Sequence, residues 1–257
     1  MANQEKKVKR SVPLWLIIVA VLILGAAVNI LLIEKGLVWF NMPSRNLYPV
    51  RGVDVSHYQG EINWETIRGQ EIDFAFLKAT EGSGTVDETF AANWEKARAA
   101  GLAVGAYHFF SFDSSAETQT ENFCKTVPAA ADALPPVIDL EYYKSEGSQA
   151  VEDVRKALRV MLDALKTKYG KTPIIYTTQS FWERYLRGTD FEYTLWIRSV
   201  YASPSSSLEP PWSLWQYNSR GVLDGYKGVE TKIDLNVYRG TRAEFEKQFG
   251  VKLGVRS

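Results

Sequence analysis

Cysteine and histidine are nearly absent from this chain of 257 residues, which contains only Cys124, His57 and His108. A single thiol allows neither an intramolecular disulfide nor a cysteine-based zinc site. The two histidines lack the H-x-x-x-H or H-E-x-x-H spacing of a zinc hydrolase. The sequence also lacks a G-x-S-x-G elbow and a Walker A segment, so serine-hydrolase and nucleotide-hydrolase readings have no support. We therefore expect no metal and no cofactor.

Net charge is absent as well, because 30 Lys and Arg residues balance 30 Asp and Glu residues. The balance hides an asymmetry: the segment before residue 51 is basic, and the remainder is mildly acidic. Nucleic-acid-binding domains usually carry the opposite sign, so we expect no nucleic-acid partner. The basic residues of the N-terminal segment are Lys6, Lys7, Lys9, Arg10, Lys35 and Arg45.

Charge is missing altogether from residues 14–33. A helix of this length spans the roughly 30 Å hydrocarbon core of a bilayer. The basic cluster before it outweighs Lys35 after it, so the positive-inside rule predicts a cytoplasmic N-terminus at residues 1–13. We expect a transmembrane signal anchor at 14–33, inserted in the lipid bilayer, and export of the rest to the periplasm or the cell exterior. The alternative is a cleaved signal peptide with a weak site at 25–27.

Residues 34–50 are interrupted by proline, serine and asparagine and are predicted to form a stalk. From residue 51 onward, β-type runs alternate with helical patterns, which predicts one catalytic domain over 51–257, expected to be a monomer. Helices are expected at 89–100, 115–127, 148–169, 180–187 and 241–249. The predicted strands lie at 53–55, 74–79, 103–110, 135–140, 174–177, 195–197, 214–217 and 233–236.

Eight strand candidates with intervening helices fit a β/α barrel of the α/β class better than a six-stranded open sheet. Parallel strands joined by crossover helices are the expected arrangement. The connection at 199–211 is rich in proline and serine and too short for a good helix. We therefore predict an irregular (β/α) barrel with fewer helices than a regular TIM barrel.

The fourth predicted strand ends by placing Asp139 and Glu141 two residues apart. Side chains alternate along a strand, so both carboxyls share one face, with their Cβ atoms roughly 6–7 Å apart. Glycoside hydrolysis needs such a pair, with one group protonated to act on the leaving oxygen and one ionised to stabilise or attack the anomeric carbon. The alternative is a solvated strand end, since D-x-E is common in loops.

Other polar side chains recur where predicted strands end, and barrel active sites assemble from such ends. They are Asp54, Lys78 with Glu81, His108, Tyr176, Gln216 and Asp234. We interpret His108 as a core histidine with satisfied hydrogen bonds rather than a catalyst. Aromatic residues accompany them: Tyr58, Tyr107, Tyr142, Tyr143, Trp196, Trp215 and Tyr217. Their rings could stack on sugars or fill the core, and we favour a cleft position for Tyr107, Tyr142 and Trp215.

Six motifs in order resemble the family 25 glycoside hydrolases, the Chalaropsis-type lysozymes or N-acetylmuramidases, from about residue 51 to 240. They are GVDVSHYQG at 52–60, KATEG at 78–82, GAYHF at 105–109, DLE at 139–141, WQY at 215–217 and DLN at 234–236. The resemblance implies a barrel with reduced helices. It also implies hydrolysis of the β-1,4 bond between N-acetylmuramic acid and N-acetylglucosamine in peptidoglycan strands, in cell-wall turnover or lysis.

By matched motif, the resemblance implies that Glu141 is the general acid. Asp139 would orient the substrate's 2-acetamido group or act as nucleophile, and we favour the acetamido route. Asp54 and Asp234 would complete the catalytic acids. We expect substrate contacts from Lys78, Tyr107, Tyr142, Tyr176, Trp215 and Gln216.

The sequence departs from the family pattern at Arg198, where a small residue is usual, which leaves substrate contacts in that loop open. It also lacks wall-binding repeats. Two alternatives to a muramidase remain: a tethered, non-catalytic wall-binding module, and a glycosidase for another amino-sugar polymer.

Overall fold

The computed structural model describes residues 12–36, 38–39, 41–142 and 149–255, and it divides the chain into two compact units, Met1–Trp39 and Phe40–Ser257. The first unit contains helix α1 (Leu14–Glu34), none of whose residues is buried. By length and composition α1 is able to cross a membrane, a test that a signal sequence also passes. The cytoplasmic N-terminus predicted at 1–13 lies largely outside the described residues.

The second unit alternates strands with helices in the first two thirds of its length and is mostly β-structure before a last helix. In chain order its elements are β1 (Arg51–Val55), β2 (Glu61–Ile62), α2 (Trp64–Gly69), β3 (Phe74–Glu81), β4 (Thr85–Val86), α3 (Phe90–Ala99), β5 (Ala103–Phe109), α4 (Ala116–Thr126), β6 (Val137–Leu140), α5 (Val151–Tyr169), β7 (Ile174–Thr178), α6 (Gln179–Phe181), β8 (Thr194–Arg198), β9 (Trp212–Gly221), β10 (Tyr226–Lys227), β11 (Ile233–Tyr238) and α7 (Arg242–Phe249).

Eight of these strands close into a barrel. Strands β1, β3, β5, β6, β7, β8 and β9 pair in that order, each parallel to the next. Strand β11 closes the barrel between β9 and β1 and is antiparallel to both. The expectation of parallel strands throughout is therefore wrong for β11. The connection at 222–232 contains only β10 and is shorter than the dozen or so residues that a parallel crossover needs, whereas the helix-free connection at 199–211 reaches that length.

The predicted irregular barrel is confirmed, because each of the eight predicted strands coincides with a barrel strand and no helix joins β8 to β9. Three of the predicted helices correspond to α3, α4 and α7, and the helix predicted at 148–169 corresponds to α5, with residue 148 outside the described range. The helix predicted at 180–187 is α6 followed by a π-helical turn, Trp182–Leu186. Helix α2 and the short strands β2, β4 and β10 were not predicted.

Side chains that point into the barrel change from apolar to polar along the strands. On β3, Phe74 and Phe76 are fully buried, and Lys78 follows them on the same face. On β8, the buried Trp196 precedes Arg198 in the same way. Phe245 of α7 stacks on Phe74, with ring centroids 5.3 Å apart, and covers the apolar end. Polar groups therefore collect at the carboxyl ends of the parallel strands.

Candidate active site

A cavity of about 230 Å³ opens at the carboxyl ends of the parallel strands. Residues from β1, β3, β5, β6, β7, β8 and β11 meet in it, because the inward face of each strand reaches this end of the barrel. The predicted site residues that line the cavity are Asp54, Lys78, Tyr107, Asp139, Glu141, Tyr176 and Asp234. The sequence-based expectation that these residues assemble at one place is met for this group.

Asp54 and Asp234 form a carboxyl pair across β1 and β11, where they are register partners. The Asn236 amide donates to Asp54 Oδ2 at 2.6 Å, and the Gln216 amide donates to both oxygens at 3.3 and 3.1 Å. Burial raises the pKa of both acids, while the hydrogen bonds from Asn236, Gln216 and Asp234 lower that of Asp54. The charge of Asp54 and the hydrogen bond to it raise the pKa of Asp234 further, so of the two acids Asp54 is the more readily ionised.

Asp139 is a buried carboxyl with one oxygen that lacks a hydrogen-bond donor. Burial, followed by the charges of Glu141 and Asp54, raises its pKa well above the ordinary value. Among the described residues, no hydrogen-bond donor reaches its buried Oδ1 atom. A buried acceptor without a donor is costly, and it is suited to a donor that arrives with the substrate.

Glu141 follows β6 directly and is half-buried at the cavity. Burial raises its pKa, the charge of Asp54 raises it further, and the positive charge of Arg198 opposes both. A general acid must keep its proton near neutral pH, and a carboxyl with a raised pKa does so. The paired carboxyls therefore differ in environment: Asp139 is enclosed, and Glu141 is at the open side.

Tyr107 and Tyr176 stand between these acids, and burial raises the pKa of each well above the usual range, with the acid charges adding to the effect. Tyr176 Oη donates to Gln216 Oε1 at 2.9 Å, and the Gln216 amide in turn donates to Asp54. Gln216 does not line the cavity. It lies beneath the cavity and fixes the orientation of Asp54.

The structure does not bring Trp215 or Tyr142 to the cavity. Gln216 points inward, so its neighbour Trp215 points outward, where it is 1% exposed and its indole donates to the Ser199 carbonyl at 2.9 Å. Tyr142 follows Glu141 and packs on Phe181, with ring centroids 5.1 Å apart. Tyr143 lies outside the described residues.

His108 is a core residue, as interpreted from the sequence. It is fully buried, and its ring nitrogens contact Thr80 Oγ1 at 2.7 Å and Gln119 Oε1 at 3.0 Å. Burial lowers its pKa to about 4, so the ring is neutral at physiological pH. It supports β5 from the outside of the barrel and takes no part in the cavity.

Sequence reasoning missed Glu230 and Asn236 as site residues. Glu230 lines the cavity and accepts a hydrogen bond from Gln59 at 3.1 Å. Asn236 repeats the two-residue spacing of the acid pair relative to Asp234, and this spacing was the available signal. Within the part of the chain that the structure describes, no group of His, Cys, Asp and Glu side chains is arranged to hold a metal ion.

A barrel with buried, mutually coupled carboxyls at the carboxyl ends of its strands is the arrangement of a glycoside hydrolase. The family model of the glycosyl hydrolases family 25 matches residues 53–226. The chain belongs to this family and is a glycosidase. Asp234 lies beyond the matched residues, so its place in the site rests on the geometry alone.

Relatives of known identity agree with this assignment. Lysozyme M1 of Streptomyces globisporus is 32% identical over 207 residues, covering 76% of this chain and 69% of the relative. The structure of a family 25 glycosyl hydrolase from Bacillus anthracis is similar with a TM-score of 0.76 and 47% identity, covering 82% of this chain and 97% of that one. A bacterial lysozyme from Streptomyces coelicolor has a TM-score of 0.69 and 31% identity, with coverages of 76% and 94%.

Proposed function

We propose that this protein is a membrane-tethered N-acetylmuramidase that hydrolyses the β-1,4 bond between N-acetylmuramic acid and N-acetylglucosamine in peptidoglycan. The observation that carries the proposal is the pair Asp139 and Glu141, which share one cavity in different environments. The relatives add the substrate class, because one is named a lysozyme and another, from Chalaropsis sp and 25% identical, an N,O-diacetylmuramidase.

In this proposal Glu141 is the general acid. Its raised pKa keeps a proton available for the glycosidic oxygen as the bond from that oxygen to the anomeric carbon breaks. A water molecule later attacks the anomeric carbon, where it displaces the substrate's own acetamido oxygen, and gives a proton to Glu141, which resets the site.

Asp139 has the second role. Its buried Oδ1 accepts the N–H of the substrate's 2-acetamido group and turns the acetamido oxygen toward the anomeric carbon. That oxygen forms the new bond to carbon, and the carboxylate of Asp139 balances the positive charge that develops on the acetamido group. Asp54 and Asp234 are the supporting acids, and Lys78, Tyr107 and Tyr176 contact the sugar.

The proposal also assigns the parts of the chain to compartments. Residues 1–13 are cytoplasmic, 14–33 form a signal anchor in the bilayer, 34–50 form a stalk, and 51–257 form the catalytic domain on the outer side. The apolar helix α1 and the basic residues before it support this topology. A tether restricts the enzyme to glycan strands close to the membrane.

The test is reducing-end analysis. The full chain in mild detergent is incubated with purified peptidoglycan, and the products are reduced with borohydride and hydrolysed to show which sugar carries the new reducing end. We expect muramic-acid ends, and Glu141→Gln should lower the rate by about 100-fold or more. Glu95→Gln, an exposed acid on α3, is the matched control. New N-acetylglucosamine ends would contradict the bond assignment, and binding without fragment release would favour a wall-binding module.

A further inference from the structure

Arg198 is a cation whose charge acts on three acids of the cavity, Asp54, Glu141 and Asp234. It is the last residue of β8 and lies two residues after Trp196, which lines the cavity, so the two side chains share the inward face of the strand. Its register partner on β9 is Gln216, whose amide binds Asp54. The half-buried Arg198 side chain therefore starts beside the residue that binds Asp54.

The side chain of Arg198 has no bonded counter-charge within residues 41–142 and 149–255, where its guanidinium makes no hydrogen bond and no ion pair. Lys78, the cation that lines the cavity, is already engaged: its ammonium binds Glu81 at 2.6 Å and lies 5.2 Å from the centre of the Phe109 ring. Arg198 is thus the cation that an incoming ligand is able to use.

The positive charge of Arg198 is unfavourable for acid catalysis. Its charge lowers the pKa of Glu141, and it lowers the pKa of Asp54 and Asp234 as well. For a neutral glycan, an uncharged residue at this position would leave the general acid better protonated. For an anionic substrate the positive charge is favourable, because the carboxylates that line the cavity would repel the substrate if Arg198 did not attract it. The position of a free arginine here points to a negatively charged substrate group.

We propose that Arg198 is a specificity-determining residue that binds a carboxylate carried by the muramic acid of the substrate. This inference rests on the proposed function, since of the two sugars only muramic acid carries a lactic-acid ether, on O3. A planar guanidinium accepts a carboxylate through two parallel hydrogen bonds, which gives direction as well as attraction. The carboxylate has two possible sources, the free lactyl group of a glycan without stem peptides and the carboxylates of the stem peptide itself.

Three forms of the same glycan distinguish these sources. The first is peptide-free strands with free lactyl carboxylates, the second is the same strands with those carboxylates converted to neutral methylamides, and the third is peptide-bearing strands. The kcat/KM of the full chain in detergent is measured on each, and each rate is divided by the rate on the methylamide strands. The ratio cancels any change in the general acid, which acts on all three substrates alike.

We expect the wild type to prefer one of the charged forms to the methylamide form, and Arg198→Ala to reduce that ratio by about 10-fold to 100-fold. Arg198→Lys should restore part of the ratio, because it keeps the charge and loses the paired geometry. Arg187→Ala removes an exposed charge that does not act on the pKa of Asp54, Glu141 or Asp234, so it should leave the ratio unchanged. The charged form whose ratio falls identifies the source of the carboxylate.

Two failures are distinguishable. If Arg198→Ala changes the rates on all three substrates by the same factor, or if the wild type does not discriminate among them, Arg198 does not bind a carboxylate of the substrate. If the wild type produces no muramic-acid reducing ends from any of the three, the proposed function itself is wrong.

Discussion

The same chemical change should have opposite effects on stability at two buried acids, Asp87 and Asp139. Asp87 Oδ2 accepts from the His57 backbone N–H at 2.8 Å and contacts His57 Nδ1 at 2.9 Å, while Oδ1 accepts from the Thr89 N–H at 3.0 Å and hydroxyl at 2.7 Å. Burial alone would raise the pKa of Asp87, but the hydrogen bonds from His57 and Thr89 hold it below the ordinary value. Asp139 has the opposite environment, with a buried Oδ1 that no described residue contacts through a hydrogen bond.

The raised pKa of Asp139 means that the native state resists its ionisation. The wild type therefore loses stability as the pH rises from the unfolded-state pKa, about 3.9, through the folded-state pKa, and an asparagine does not. Asp139→Asn should raise the free energy of unfolding at neutral pH by about 1–3 kcal/mol, because the amide removes the buried charge and each pKa unit is worth about 1.4 kcal/mol. For a domain of this size that is roughly 2–10 °C in Tm. The gain should vanish at pH 3.

Asp87→Asn should lower the free energy of unfolding at neutral pH by about 2–3 kcal/mol, because an amide –NH₂ replaces an oxygen that accepts hydrogen bonds and the charge is lost. Because the pKa of Asp87 is lowered, its pH dependence of stability is opposite to that of Asp139. The stability that Asp87 contributes is present above the unfolded-state pKa and is lost as the pH falls through the folded-state pKa. The cost of the substitution should therefore shrink in acid.

Thermal unfolding followed by near-UV circular dichroism at pH 7 and pH 3 measures both effects. Asp163→Asn, an exposed acid on α5, is the control for loss of one negative charge. If Asp139→Asn destabilises the protein at pH 7, or if its gain persists at pH 3, the assignment of Asp139 as a buried carboxyl without a donor is refuted. Activity of the same variant should be lost, since the proposal gives Asp139 a catalytic role.

Two further substitutions follow from the geometry. Asn236→Leu removes the hydrogen-bond donor that lies 2.6 Å from Asp54, so the pKa of Asp54 should rise. The acidic limb of the pH profile of kcat/KM should then move to higher pH. If this limb does not move, Asp54 does not act in its ionised form. Gly60→Ala places a Cβ 2.3 Å from the Lys227 carbonyl oxygen at a backbone φ of +64°. It should lower the free energy of unfolding, measured in urea, by about 1–3 kcal/mol. The control Gly84→Ala, whose Cβ would have nothing within 4 Å, should change it little.

Much of the site could be predicted from two general rules. Alternation along a strand places Asp139 and Glu141 on one face, and parallel strands deliver their carboxyl ends to one edge, which brings Asp54 and Lys78 to the same cavity. The same rule of alternation, applied more strictly, excludes Trp215 once Gln216 is placed inside. Glu230 had no such signal, because it lies in a connection, and only the folded barrel brings it beside Gln59.

The place of Asp234 in the site depends on the direction of its strand. It is the second residue of β11, and in a parallel strand that position would lie at the amino end of the barrel, about 14 Å from the edge that carries the other acids. The connection at 222–232 is too short for a parallel crossover, so β11 returns antiparallel and its first residues reach the carboxyl edge beside Asp54. Hence the length of one connection decides that Asp54 has a carboxyl partner in the site.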